Sequence, residues 1–328
     1  MLKATRPSTL SLYDKRWNSF QRWCENNLVL PLEASVPEIL RYLDFLRTSI
    51  NLTPGTIVGH KTAIIVTLAN SANRRLQDNL HIKQYVKGLL NTAKPRTTVP
   101  DWDLSLVLNT LRRAPFEPIG SCELKYLTLK TVFLLAFATA ARRSELHAFS
   151  KDFLRDEHWS YVTLKTIEFF LAKNQKGADF RSFTIRSLTD FTNSARLEEE
   201  CLLCPVRALR AYNNRTLRSQ DNVSLFVSFK KGHSTKIHPN TISSWLKQCI
   251  KLCYELSGKT LPSKVVGHSV CAMSTSWASL KNVGLNQILD SCFWKNPNTF
   301  ISFYLKDLTA IEGSMHKLGK VSVSSTVV

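Results

Sequence analysis

His268–Tyr304 reads HSVCAMSTSWASLKNVGLNQILDSCFWKNPNTFISFY. It sets a histidine, His268, a tryptophan, Trp294, and a tyrosine, Tyr304, at intervals that the packing of a simple core does not require. Working back along the chain, residues 137–149 read FATAARRSELHAF. They supply Arg142 with Glu145 one helical turn further on, a spacing that lets the two side chains meet on one face. The segment ahead of them, ELKYLTLKTVFLLAFATA (123–140), is apolar nearly all round and so predicts a buried helix. That helix runs straight into Arg142. A charged group at the end of a core helix needs a partner, and Glu145 is the local candidate.

Helical periodicity organises the first ninety residues. Tyr13, Trp17, Phe20 and Cys24 recur on one face between Ser8 and Asn27. A second helix begins at Ser35, which makes a capping box with Glu38 around Pro37, and buries Ile39, Leu43 and Leu46. After the break at Thr53-Pro54-Gly55, a third helix carries Ile57, Ile64, Ile65 and Leu68. A fourth carries Ile82, Tyr85, Val86, Leu89 and Leu90. Four short-linked helices make a small helical domain, residues 1–92. NTAKPRTTVP then has two prolines and no periodicity, and reads as a linker over residues 93–100.

Beyond DWDLSLVLNTLRR and the buried helix, the period changes from helical to alternating. WSYVTLKT, IEFFLAK and FRSFTIRS predict a small antiparallel sheet, with Lys173 at or near a hairpin turn. Helical patterning resumes in CPVRALRAYNNRT and again in a helix with Ile242, Trp245, Leu246, Cys249 and Cys253 on one side. The expected architecture is therefore mainly α, of the α+β kind: a helical N-terminal domain, a mainly helical second domain with a small sheet over residues 101–312, and a Ser/Val/Lys-rich tail over residues 313–328.

The chain holds 328 residues with 44 Lys and Arg against 25 Asp and Glu, a net charge of +19 spread along its length. Self-repulsion of that size calls for a polyanionic partner, of which nucleic acid is the commonest. The longest apolar run is too short to span a bilayer, and the N-terminus lacks the apolar core of a signal peptide. Neither a secreted nor a membrane location is expected; the reading is a reducing compartment, the nucleus or the cytosol before nuclear entry. The eight cysteines fall mostly on helix faces and read as small buried hydrophobes. Cys201 and Cys204 form a CxxC without a second ligand pair at zinc spacing, so no metal site is expected there.

Arg142 in TAARRSEL, a lysine in a β-hairpin, HSVC where a His-x-x-Arg is usual, then Trp294 and Tyr304 together resemble the tyrosine recombinase (phage integrase-like) family. LCPVRAL, HSVCAMSTSWA and FWKNPNTFISFYL are most similar to the recombinases of eukaryotic DIRS-like mobile elements. The resemblance covers roughly Asp101 to Leu308, and the family would also supply a helical DNA-clamping (SAM-like, core-binding) domain in front. It implies a C-shaped clamp around double-stranded DNA, homotetramers on paired sites and exchange of a C-terminal element, for which the tail with Val321 and Val323 is a candidate. It implies no metal, no cofactor and no small-molecule substrate.

In that family a tyrosine attacks a DNA phosphodiester to form a 3′-phosphotyrosyl link and release a 5′-hydroxyl. By resemblance Tyr304 is the nucleophile, Arg142 a guanidinium fork for the phosphate, Glu145 its orienting carboxylate, Lys173 the general acid, and His268 and Trp294 further phosphate donors. Lys176 rivals Lys173, because one sequence does not fix the hairpin register. The residues alone also allow a plainer reading: Trp294 and Tyr304, among Phe293, Phe300 and Phe303, as core aromatics, and His268 as a helix cap. The departure from the family lies at Cys271, a small neutral side chain at the second arginine position. Losing one transition-state donor costs on the order of 3 kcal/mol. Lys264 lacks the fork geometry to replace it. The expectation is impaired strand transfer, with a non-catalytic DNA-binding protein, or a helical protein-interaction module, as the alternatives.

Overall fold

The computed structural model describes residues 7–93, 100–168, 170–172, 181–188, 197–216, 222–229, 235–263, 265–306 and 308. The chain folds as two compact units, Met1–Thr97 and Thr98–Val328.

The first unit holds α1 (Pro7–Asn26), α2 (Val36–Thr48), α3 (Pro54–Ser71) and α4 (Leu80–Asn91). Ser35 caps α2 as its sequence predicts: its hydroxyl accepts from the Glu38 amide while the Glu38 carboxylate accepts from the Ser35 amide. The core centres on Phe20 and Tyr42, edge to face at 5.0 Å, with Ile39, Leu43, Ile57, Ile64 and Leu68 around them. The expected stripe of α4 is only partly inward. Ile82 and Leu89 are buried, but Leu90, adjacent to Leu89 and so rotated off that face, is exposed.

The second unit is built on α6 (Leu124–Thr139), which follows α5 (Leu104–Leu111) and is buried along nearly its whole length, as its uniform apolarity requires. The helix ends at Thr139, three residues before Arg142. Ala140 takes the left-handed conformation (φ 47°) and turns the chain into the short α7 (Arg143–His147). Among the described residues three strands follow, β1 (Leu154–Arg155), β2 (Tyr161–Lys165) and β3 (Ser182–Arg186), antiparallel in the order β1-β2-β3. The outer two of the three alternating runs are β2 and β3, Val162 pairing with Ile185 and Leu164 with Phe183. The middle run is not the third strand: Ile167 and Glu168 lie in a turn, closed by the Phe170 amide on the Ile167 carbonyl. That place goes to β1, a two-residue edge strand exposed on both faces, whose pattern carries no alternation to read.

After the sheet come α8 (Leu197–Cys201), α9 (Pro205–Arg215), α10 (Pro239–Leu256), α11 (Ser269–Leu280), α12 (Leu285–Ser291) and α13 (Pro297–Phe303). α9, α10 and α11 all pack on α6. Cys204 is the N-cap of α9, its sulfur accepting from the Arg207 amide. Gly267 lets the start of α11 approach α10, since a Cβ there would stand 2.6 Å from the Ser243 carbonyl oxygen.

One core residue runs against the apolar pattern. Lys130 on α6 is fully buried, and its ammonium bonds Glu117 and, at 2.8 Å, the Leu111 carbonyl. Arg207 holds the same carboxylate at 2.7 and 3.0 Å. Removing the carboxylate strands a buried charge, so Glu117→Ala is expected to destabilise this unit by about 3–5 kcal/mol. Hydrogen exchange of the full chain would show it as lost protection in α6, with the amides of α2 and α3 unchanged.

Candidate active site

The left-handed turn at Ala140 places Arg142 as the N-cap of α7 with Glu145 in the first helical turn. The two meet as expected, but by capping geometry: the Arg142 amide donates to Glu145 Oε2 at 2.7 Å, and its guanidinium lies 3.5 Å from Oε1. Glu145 is almost wholly buried. A third residue, not read from the sequence, shares this carboxylate. Arg181 Nη1 lies 2.6 Å from the same Oε1, and its side chain is one-tenth exposed, as Arg142's is about one-eighth. The signal for it was present. Arg181 falls on the parity of Phe183 and Ile185, the inward face of β3, where an arginine requires a buried partner.

The second wall comes from the opening stretch. Phe293 (φ 53°) breaks the chain between α12 and α13, and the Trp294 amide returns to the Leu289 carbonyl at 2.8 Å. Trp294 is thereby turned inward and Phe293 left half out. Tyr304, at the C-cap of α13, packs against Trp294 with ring centroids 4.2 Å apart and against His268, which precedes α11, at 5.4 Å. Ser276 Oγ donates to the Tyr304 carbonyl at 3.1 Å and anchors that backbone. The Arg142 guanidinium lies 5.9 Å from the centre of the Trp294 ring, the ring against which Tyr304 packs. Burial raises the phenol's pKa above the usual tyrosine value, with Arg142 opposing the shift, so the hydroxyl is protonated at neutral pH.

Arg142, Glu145, His268, Trp294 and Tyr304 are thus brought together from segments more than a hundred residues apart. Lys173 and its rival Lys176 lie outside the described residues, as do Lys264 and the tail with Val321 and Val323. Trp294 and Tyr304 are core aromatics as well as neighbours of Arg142: they share a small cluster with Ala140, Cys271, Cys292 and Phe300. His268 is exposed and makes no side-chain cap on α11.

Cys271 is buried in that cluster, its thiol donating to the Ala140 carbonyl at 2.8 Å. Burial pushes this thiol well above its ordinary range and pushes Cys292 up to about 12, so neither is a ready thiolate. Because the folded-state values are raised, the associated stability is full below the unfolded thiol range and is lost as pH rises from about 9 towards 12. For Cys292 the loss is about 4 kcal/mol in all. Cys292→Ser, which does not titrate there, is expected to flatten that alkaline decline by about 1.4 kcal/mol per pH unit in denaturant titrations.

No protein-family model matches the chain, and comparison with curated proteins finds no match. Solved structures do match. A lambda integrase dimer bound to a COC′ core site aligns over 96% of this chain and 94% of that one, with TM-score 0.58 and 14% identity. The Tn1549 transposon integrase in complex with transposon right end DNA aligns over 96% and 98%, at 0.56 and 12%. XerH site-specific recombinase bound to difH in a pre-cleavage complex aligns over 90% and 75%, at 0.51 and 14%. The fold is that of the tyrosine recombinases. The recombinase fold expected from Arg142, HSVC, Trp294 and Tyr304 is therefore the one found, a mostly helical chain with a small antiparallel sheet.

Proposed function

We propose that this chain is a DNA strand transferase of the tyrosine recombinase type, derived from a DIRS-like mobile element and acting in the nucleus. The observation that carries the reading is the placement of Tyr304. Its ring packs against His268 and Trp294, and the Arg142 guanidinium lies by the same Trp294 ring, so one aromatic hydroxyl shares a site with a guanidinium and two further N–H donors. A phosphorane-like transition state accumulates negative charge on its non-bridging oxygens, and such donors are what it requires.

In the proposed reaction the Tyr304 oxygen bonds phosphorus while the bond to the 5′-oxygen breaks. The phenolic proton passes to water, and Lys173, or Lys176, protonates the leaving oxygen. Attack by a 5′-hydroxyl reverses each of these changes, so the phosphotyrosyl bond conserves the energy of the broken linkage and no cofactor enters. Glu145 orients Arg142. Support for a DNA partner comes from the net charge of +19 and from structural neighbours solved on DNA; lambda integrase is seen as a tetramer bound to a Holliday junction, and a homotetramer on paired sites is proposed here by that analogy.

A second reading, a DNA-binding protein without turnover, is favoured by Cys271. The thiol is buried and committed to a backbone carbonyl where the family has its second phosphate-binding arginine. A missing donor of this kind slows transfer by about 100- to 1000-fold. The test is covalent trapping: nicked duplexes with a randomised core are selected for binding, incubated with the chain, denatured and examined for a protein–DNA adduct. An adduct that depends on Tyr304 supports strand transfer. Salt-sensitive duplex binding with no adduct, restored by Cys271→Arg, selects the second reading, and absence of both binding and adduct overturns the two together.

A further inference from the structure

We infer that Arg181 is the second phosphate-binding guanidinium of this site, supplying from the residue that leads into β3 the cation that Cys271 does not supply from α11. The inference rests on the strand-transfer reading above. Its starting point is a charge imbalance. Arg142 and Arg181 both converge on Glu145 Oε1, at 3.5 and 2.6 Å, while Oε2 accepts the Arg142 amide. Among the described residues, the ion pairs of both guanidinium groups are with this one carboxylate. Among the described residues, two buried cations against one anion leave an excess of one positive charge, and a buried excess charge is costly until a counter-charge arrives. A single DNA phosphodiester carries the charge that completes the set.

The donors are also held in place. Phe293 lies beneath Arg181, its ring centre 4.8 Å from the guanidinium carbon, and the next residue, Trp294, lies beside Arg142 at 5.9 Å. One left-handed break in the chain thus fixes the planes of two guanidinium groups through consecutive aromatic rings. Each guanidinium has five N–H donors, and Glu145 takes one side-chain contact from each, so the forks retain donors for phosphate oxygens. Arg181 could otherwise do no more than neutralise Glu145, and the test must separate the two roles.

The discriminating substrate is the same nicked duplex with a methylphosphonate at the scissile position, in which one charged non-bridging oxygen is replaced by a neutral methyl group. If Arg181 stabilises charge on the phosphate, Arg181→Ala loses about 100- to 1000-fold in single-turnover adduct formation on the phosphodiester and less than about 10-fold on the methylphosphonate. Misfolding of the variant lowers both rates alike and does not mimic this difference. Equal losses on the two substrates overturn the inference and leave Arg181 a positioning residue for Glu145. Arg181→Lys adds a second criterion, since it keeps the charge beside Glu145 but not the fork. A lysine variant within about threefold of the native chain on the phosphodiester overturns the inference, and one that falls more than about tenfold supports it. If the native chain forms no Tyr304-dependent adduct on either substrate, strand transfer itself fails, and this assignment with it; a native adduct with equal Arg181→Ala losses removes this assignment alone.

Discussion

Tyr304→Phe is expected to abolish the covalent DNA adduct completely while duplex affinity changes by less than about threefold, since binding is governed by the many phosphate contacts of a basic chain. The substitution removes one oxygen. The ring keeps its packing against Trp294 at 4.2 Å and His268 at 5.4 Å, and the backbone keeps its anchor at Ser276. What is lost is the only atom that can bond phosphorus from that ring. Because the phenol is buried, its replacement by a phenyl group leaves no ionised partner stranded, so the fold should be retained. Denaturing gels of the trapped product, beside binding isotherms at fixed salt, check both halves of the expectation. An adduct that persists in Tyr304→Phe would move the nucleophile elsewhere.

Arg142→Ala has the next largest expected effect, at least a 1000-fold loss in the single-turnover rate of adduct formation, equivalent to about 4 kcal/mol of transition-state stabilisation. Two losses coincide: a charged fork for the phosphate and one of two cations on Glu145. Arg181 still neutralises Glu145 at 2.6 Å, so the buried carboxylate is not left bare and the stability cost is modest beside the kinetic one. Arg142→Lys is expected to recover less than about a tenth of the lost rate, because an ammonium presents a point charge and cannot span two oxygens. Rapid-quench measurement with saturating nicked duplex separates the rate from any change in binding. A fall of less than about tenfold in the alanine variant would remove Arg142 from the phosphate.

Local patterning made much of this chain legible. Periodicity at three to four residues marks the buried faces of α2 and α3, and the Ser35/Glu38 box marks where α2 begins. An unbroken apolar helix announces that α6 is central, and Arg142, Glu145, His268, Trp294 and Tyr304 stand out by order and spacing in the sequence. These signals lie within a few residues of one another or follow a known order, so one sequence carries them. Features set by partners distant in the chain left no such trace. The third strand is the two-residue β1, because pairing with β2 defines it where its own residues do not. Lys130 sits in the core because Glu117 and the Leu111 carbonyl reach it from other segments.

The sequence by itself determined the mainly helical class, the change to alternation near residue 159 and the basic character that calls for a polyanion, and by resemblance it offered Arg142, Glu145, His268, Trp294 and Tyr304 as candidates. The tertiary structure decided which cations share Glu145. Arg181 and Arg142 are thirty-nine positions apart, one leading into a strand and the other capping a helix, yet both reach one carboxylate oxygen. It also decided that Cys271 turns its thiol to the Ala140 carbonyl. The reason is physical: a left-handed turn at Ala140 and another at Phe293 fold the chain back on itself. Where those turns point is fixed by the packing of α11, α12 and α13, which no local pattern records.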